Sequence, residues 1–92
     1  MSTKTPARPP RPGDTIEVNG FAFREIRVRS GLAIGAVAVE IGISRPYLAR
    51  IEMGARIRVS PPVFAGMLRA LQITDRRAIL ADPKTEPAET AS

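Results

Sequence analysis

The nine prolines of this 92-residue chain divide it into a proline-rich start, a central segment and a proline-containing end. Six of them lie outside residues 14–82, where they disfavour regular helices and sheets. The other three follow serines, in the sequences Ser44-Arg45-Pro46 and Ser60-Pro61-Pro62. Serine caps helix N-termini and proline is tolerated in a first helical turn, so both sequences predict helix starts. The pattern therefore predicts one folded domain of about 60 residues between two tails.

The side-chain chemistry of the chain is narrow, because it contains no cysteine and no histidine. This composition excludes disulfides, thiolate nucleophiles, zinc fingers and imidazole bases, and we expect no cofactor and no metal. The acidic residues form no pair or cluster that acid–base or metal chemistry requires, so we do not expect an enzyme. No apolar run approaches the ~18 residues of a membrane span, and residues 1–13 lack a signal-peptide core. These absences favour a cytoplasmic protein without a membrane partner.

Positive charge is concentrated in the central segment. The whole chain carries 14 basic and nine acidic side chains, which gives a net charge of +5. Residues 20–82 hold ten arginines against five acids, while the charges of the two ends cancel. Arginines fixed on a fold can match the spacing of phosphates, so this distribution favours a nucleic-acid partner. The alternative is an arginine-rich genome that gives an ordinary soluble protein a basic surface.

Caps and apolar periodicity predict three helices and a short last one. Their bounds and caps are residues 20–30 after Asn19, residues 45–53 after Ser44, residues 61–72 after Ser60, and a short helix around Ile79 and Leu80 after Thr74 or Asp75. Ile16 and Val18 alternate with polar residues, which allows a short extended segment but does not require one. The arginine-bearing residues 54–59 are interpreted as a loop.

Residues 32–43 fit two kinds of secondary structure. β-Branched residues occupy every second position from Val37 to Ile43, which favours a strand by local propensity. The helical alternative gives one apolar face with i, i+3, i+4, i+7 spacing and leaves Val39 exposed. That face consists of Ile34, Val37, Ala38 and Ile41. Local pattern does not decide between the two alternatives.

A second spacing favours the helix. Ala38, Gly42, Leu48 and Ile51 fall at offsets 0, 4, 10 and 13. Where two helices cross near a right angle, the first of these positions must be small, and glycine supplies the turn between the helices. Leu48 and Ile51 then pack onto the crossing from the following helix. This is the spacing of a helix-turn-helix, and it predicts that residues 32–43 are helical.

Longer stretches of the sequence carry a family resemblance. The segments are residues 23–27 (FREIR), 31–32 (GL), 37–44 (VAVEIGIS) and 47–54 (YLARIEMG). Together they resemble the lambda-repressor-like, Cro and Xre family of DNA-binding domains, from residue 20 to residue 80. The resemblance implies an all-α fold, a compact five-helix bundle that usually binds DNA as a dimer. It also implies that the third helix lies in the major groove while the second helix bridges the DNA backbone.

The resemblance assigns roles to particular residues. Arg27 and Glu52 stand where the family places a mostly buried ion pair, an architectural contact between the first helix and the end of the third. The positions from which the family contacts DNA are occupied by Ser44, Arg45, Pro46, Tyr47 and Arg50. Arg56 and Arg58, in the predicted loop, either face the DNA backbone or are simply solvated.

The residues at the predicted interface differ in chemistry. Arg45 can fork onto the O6 and N7 atoms of a guanine, and Arg50 lies about one and a half turns further along. Tyr47 is either a phosphate donor or a partly buried aromatic body. Pro46 either offers an apolar contact, for example to a thymine methyl group, or merely starts the helix. Ala33-Ile34 replaces the Ser or Thr followed by Gln that is common in the family, which removes a cap worth ~1 kcal/mol and one phosphate contact.

The leading hypothesis is a sequence-specific regulator of transcription that binds double-stranded DNA as a homodimer, most simply a Cro-like or immunity-type repressor of a phage or prophage acting on an operator. One alternative is an antitoxin of the same fold, and another is a protein-interaction module that has lost DNA binding. The protein partner in these cases would be a toxin or an antirepressor. The apolar residues Ile73, Ile79 and Leu80 are candidate contacts near a two-fold axis. The expected location is the cytoplasm, at the nucleoid.

Composition divides the chain into three parts. Residues 1–19 are predicted to be a disordered or extended Pro/Arg-rich arm, residues 20–82 the helix-turn-helix DNA-binding domain, and residues 83–92 a disordered tail. Arg8 and Arg11 in the arm either reach an adjacent minor groove or belong to a segment that only solubilises the protein.

Overall fold

The computed structural model describes residues 15–82, and the predictions for residues 1–14 and 83–92 lie outside these described residues. The described part contains four α-helices, a two-stranded sheet and one 3-10 turn. In chain order the elements are β1 (Ile16–Val18), α1 (Gly20–Arg29), α2 (Ile34–Ile41), α3 (Arg45–Ile51), β2 (Ile57–Val59), α4 (Pro61–Ala70) and the 3-10 turn (Arg76–Ala78). None of these helices has the length and apolar composition needed to cross a membrane.

Three helices begin at the caps that the sequence predicts. The side chain of Asn19 accepts a hydrogen bond from the backbone N–H of Ala22 (3.1 Å), and that of Ser60 accepts one from Val63 (3.4 Å). Ser44 caps α3 in the same way. These bonds satisfy donors that the first turn of a helix otherwise leaves unpaired. The predicted starts of α1, α3 and α4 are confirmed, and each helix ends one or two residues earlier than predicted.

Residues 34–41 form a helix, which decides the ambiguity in favour of the helix-turn-helix spacing. Val37 and Ala38 are buried at the centre of the predicted apolar face, and Val39 is 80% exposed, as the helical alternative requires. Gly42 ends the helix in the left-handed conformation, with φ 89°, and its N–H donates to the carbonyl of Ala38 (2.8 Å). A side chain at this position would disfavour the turn, so glycine has the role predicted for it.

The fold also contains a small antiparallel sheet, and the prediction of an all-α fold is wrong in this respect. The register of β1 and β2 pairs Ile16 with Val59, Glu17 with Arg58 and Val18 with Ile57. On the other edge of β1, Val18 forms a bridge with Leu80. β1 therefore pairs with segments from the middle and from the end of the described chain. It belongs, however, to the segment predicted to be an extended or disordered arm. Val18 is fully buried, which makes this strand part of the folded domain.

The predicted fifth helix is a single 3-10 turn over Arg76–Ala78, which corrects the expectation of a five-helix bundle. Asp75 caps this turn, because its carboxylate accepts a hydrogen bond from the backbone N–H of Arg77 (3.0 Å). After this turn, Leu80 pairs with β1, and the side chain of Ile79 lies in the core with 0% exposure. Ile79 is therefore buried within its own chain and not available for the predicted contact at a two-fold axis.

The core lies where the helices meet the sheet. Its most completely buried side chains are Val18, Phe23, Leu48, Ile51, Val59, Met67 and Ile79. The start of α1 lies directly against the end of α3 at Gly20, where a Cβ atom would overlap the carbonyl oxygen of Ile51 and lie 2.8 Å from that of Gly54. The Gly20 N–H donates to the same Gly54 carbonyl at 2.8 Å. Glycine is thus required for this contact, which positions α3.

Candidate nucleic-acid interface

Helix α3 has a buried side and an exposed side. Leu48 and Ile51 are 0% exposed and pack into the core. Arg45 and Arg50 are exposed on the other side. Neither arginine forms an ion pair or a side-chain hydrogen bond with another residue of the described segment 15–82. Each guanidinium therefore offers its five N–H donors to an acceptor outside the protein.

The first turn of α3 adds three residues to this exposed end. Ser44 is exposed, and its Oγ accepts a hydrogen bond from the Tyr47 N–H (3.2 Å), which leaves the hydroxyl hydrogen available as a donor. Pro46 is exposed in the first turn, where a missing N–H leaves no helical bond unmade. Tyr47 is half-buried and packs against the core, so its ring has a structural role whatever its hydroxyl contacts.

The start of α2 lies beside Arg45. A Cβ atom built on Gly35 would lie 3.9 Å from the Cδ atom of Arg45, so the aliphatic stem of the arginine passes close to this glycine. α2 begins without a side-chain cap, because Ala33 provides no acceptor. The unpaired backbone N–H groups of the first turn of α2 therefore lie near an exposed arginine, at a helix end whose dipole favours anions.

Arg27 and Glu52 form a two-point ion pair between α1 and the end of α3. The Nε and Nη2 atoms of Arg27 donate to the two carboxylate oxygens of Glu52 at 2.7 and 2.9 Å. The two side chains are only 12% and 3% exposed. A third bond, from Nη1 to the Leu32 carbonyl (2.8 Å), ties the turn between α1 and α2 to the pair. The hydrogen bond to Glu52 raises the pKa of Arg27 above its ordinary value, against the opposing effect of burial. The pair thus fixes α3 relative to α1.

Arg56 and Arg58 are supported by the sheet, which corrects the prediction of a loop over residues 54–59. Arg58 lies in β2 opposite Glu17, and Arg56 immediately precedes the strand. Nη1 of Arg56 donates to Oε1 of Glu17 at 2.9 Å, and Nη1 of Arg58 donates to Oγ1 of Thr15 at 3.3 Å. Both arginines remain exposed, so an external anion would compete with these bonds.

The predicted DNA-contact residues thus fall into two groups, one around α3 and one at the sheet. The sequence did not indicate a role for Glu17, the acid that pairs with Arg56. The alternation of Ile16 and Val18 with polar residues was the available signal, because it places Glu17 on the opposite face of an extended segment. It could not identify Arg56 as the partner. Within residues 15–82, no group of three or more acidic side chains could hold a metal ion.

The sequence matches the family model of the helix-turn-helix domain over residues 20–79, which are 60 of its 92 residues. This match confirms the family-level prediction made from the resemblance to lambda-repressor-like, Cro and Xre domains, which covers nearly the same segment. Comparison of the chain with curated proteins and with solved structures gave no match. The matched segment contains α2, the left-handed Gly42 and α3, the elements of the motif itself. By this match the chain belongs to the helix-turn-helix domain family.

Proposed function

We propose that this protein is a sequence-specific regulator of transcription that binds double-stranded DNA through α3. The observation that carries the proposal is the two-sided character of this helix. Leu48 and Ile51 lie in the core, whereas Arg45 and Arg50 are exposed and have no ion-pair partner among residues 15–82. A guanidinium can form two parallel hydrogen bonds with O6 and N7 of guanine in the major groove, which is wide enough to admit an α-helix. Membership of the helix-turn-helix domain family supports the same docking mode.

Contacts to phosphates would hold α3 in place without reading sequence. The Ser44 hydroxyl and the uncapped first turn of α2 offer donors next to Arg45. Arg56 and Arg58 offer positive charge from the sheet, in competition with their partners inside the protein. Contacts of this kind give affinity that depends strongly on salt and little on sequence.

We further propose that two copies of the chain bind one operator, as in Cro-like or immunity-type repressors of phages and prophages. A single α3 has seven residues and contacts few base pairs, so a two-fold arrangement would double the sequence that is read. A repressor of this kind blocks a promoter by occupying it, in the cytoplasm at the nucleoid. The operator would then consist of two inverted half-sites about one helical turn apart.

Binding of the full chain to a site selected from a random DNA library tests this function. Arg45→Ala and Arg50→Ala should each weaken binding to the selected site by ~1–3 kcal/mol and reduce discrimination at one base pair, because a bidentate contact to guanine is lost. Arg29→Ala is the matched control, since Arg29 is 77% exposed on α1 and pairs with Glu25. It removes the same charge from a different surface and should leave discrimination unchanged.

Two results would overturn the proposal. One is a selection that returns no preferred sequence. The other is binding of the selected duplex by Arg45→Ala and Arg50→Ala as tightly as by the native chain and by Arg29→Ala. Either result would direct attention to a protein partner.

A second candidate function, a protein-interaction module of the same fold, is favoured by the apolar outer surface of α2. Val39 on α2 is 80% exposed, and Leu32 in the turn before α2 is 38% exposed. Leu32 also lines a cleft of about 300 Å³ between α2 and α4, together with Glu40 and Arg69. Exposed apolar surface of this kind is common at protein interfaces, and an antitoxin or the target of an antirepressor would use it. One stoichiometric protein that co-purifies with the native chain but not with Val39→Ser would support this candidate.

A further inference from the structure

The exposed face of α3 has a specific order of side chains around the helix axis. At about 100° per residue, Ala49 and Pro46 lie within the arc of about 140° that separates Arg45 from Arg50. Pro46 is exposed and Ala49 is half-buried, while the flanking arginines are both exposed. The face is therefore an apolar strip with one arginine along each side.

The strip has no hydrogen-bonding side chain. Alanine ends in a methyl group, and proline lacks even the backbone N–H, so neither residue can read a donor or an acceptor through its side chain. Both are short, which lets the helix approach a base edge closely. The stem of Arg45 passes close to Gly35 of α2.

The major groove presents one apolar group that such a strip can contact. Base edges there carry donors and acceptors, and the C5-methyl group of thymine is the exception. A 5-methylcytosine carries its methyl group on the same ring carbon. Burial of one methyl group between apolar surfaces is favourable by ~0.8 kcal/mol, which corresponds to about a fourfold change in affinity.

We propose that Pro46 and Ala49 recognise the C5-methyl group of a pyrimidine that lies between two guanines contacted by Arg45 and Arg50. This inference rests on the proposed function, because it requires α3 to lie in the major groove. It assigns the sequence that α3 prefers in each half-site: guanines on either side of a methyl-bearing pyrimidine.

Base analogues in the selected DNA site test the contact without altering the protein. Each thymine between the preferred guanines is replaced in turn by deoxyuridine, which removes the methyl group and keeps every hydrogen-bonding atom. One replacement should weaken binding of the native chain about fourfold. A second series places cytosine or 5-methylcytosine at that same position, and the methylated base should bind about fourfold tighter than the unmethylated one. Equal effects in both series support a contact with the methyl group itself, and equal binding of cytosine and 5-methylcytosine would overturn recognition of the C5-methyl group in pyrimidines generally.

A protein variant identifies the side chain. In Pro46→Ser, which replaces the apolar ring by a hydroxyl-bearing side chain, the methyl effect should fall below about twofold. Pro62→Ser is the matched control, because Pro62 is exposed in the first turn of α4 and also lies two residues after a capping serine. It should keep the full methyl effect. Thermal unfolding of both variants checks that each retains the native fold.

The outcomes separate this inference from the proposed function. If no sequence is selected, the proposed function fails and the inference fails with it. If a site with guanine contacts is selected but no thymine replacement changes binding, the inference alone is overturned. A methyl effect that persists in Pro46→Ser would also overturn the assignment to this strip.

Discussion

Helix α3 and the sheet both carry exposed arginines, but the two groups differ in whether they have bonding partners within residues 15–82. On α3, Arg45 and Arg50 have no ion-pair partner among residues 15–82. At the sheet, Arg58 lies opposite Glu17 across the strands, and Arg56 is bonded to that carboxylate at 2.9 Å. Specific recognition of a base edge requires a side chain with two free donors at a fixed position, whereas binding of a phosphate requires mainly positive charge. Under the proposed function, the α3 arginines are therefore suited to reading sequence and the sheet arginines to anchoring.

The two regions also differ in how they are held. α3 is fixed by fully buried apolar side chains, by the close approach at Gly20 and by the nearly buried Glu52. The sheet consists of three-residue strands joined by backbone pairing. Short strands contribute little stability by themselves, so we expect changes at the supports of α3 to have larger effects than changes at the exposed side of the sheet.

The largest effect is expected where α1 meets the end of α3. Gly20→Ala should lower the free energy of unfolding by about 4 kcal/mol or more, because the added Cβ overlaps a backbone carbonyl that cannot move independently. Gly35→Ala is the control, since its Cβ would lie 3.9 Å from the nearest atom, in the stem of Arg45. This control should leave the free energy of unfolding unchanged or raise it by up to ~1 kcal/mol. Denaturant unfolding measures both, and similar stabilities would contradict the close packing of α1 against α3.

A smaller loss is expected at the ion pair that fixes α3. Glu52→Ala should destabilise the protein by about 3 kcal/mol, because it leaves the guanidinium of Arg27 largely buried without its carboxylate. Glu25→Ala removes a carboxylate that is 60% exposed and paired with Arg29, and it should cost under about 1 kcal/mol. Thermal melts compare the two variants. Equal melting temperatures would mean that the Arg27 to Glu52 pair does not support α3.

The contrast between reading and anchoring predicts a different kind of loss at the sheet. Arg56→Ala and Arg58→Ala should weaken binding to all DNA sequences alike and reduce the slope of log K against log salt by about one per lost phosphate contact. Arg45→Ala and Arg50→Ala should instead reduce discrimination between bases. Titrations across salt concentrations and single-base variants measure both quantities. Loss of discrimination in Arg56→Ala would place base reading at the sheet and contradict the proposed difference between the two groups of arginines.

The smallest effect is expected from Glu17, the acid that pairs with Arg56. Glu17→Gln should tighten binding to non-specific DNA about twofold, because it releases Arg56 from an exposed ion pair. Stability should change by less than about 0.5 kcal/mol for the same reason. The gain should disappear when Arg56→Ala is combined with Glu17→Gln. Weaker non-specific binding in Glu17→Gln would show that the ion pair positions Arg56 for DNA and does not compete with it.

Local chemistry made the helices predictable. The serine and asparagine caps identified where α1, α3 and α4 begin, since a cap and the N–H that it satisfies lie within a few residues of each other. The placement of Gly42 was predictable for a similar reason, because a left-handed turn between two helices favours glycine whatever surrounds it. The exposed Val39 on α2 followed from helical spacing once the strand alternative had been rejected.

The sequence by itself therefore determined the helix-turn-helix, the positions of its caps and the residues on each side of α3. Only the tertiary structure decided that β1 pairs with β2 and Leu80, that Ile79 enters the core, and that Arg56 meets Glu17. The physical reason is range. A helix is specified by neighbours three or four residues apart, whereas Ile16 and Val59 are 43 positions apart and belong to strands too short for a periodic pattern. Such pairing depends on which surfaces the helices leave uncovered after they have packed.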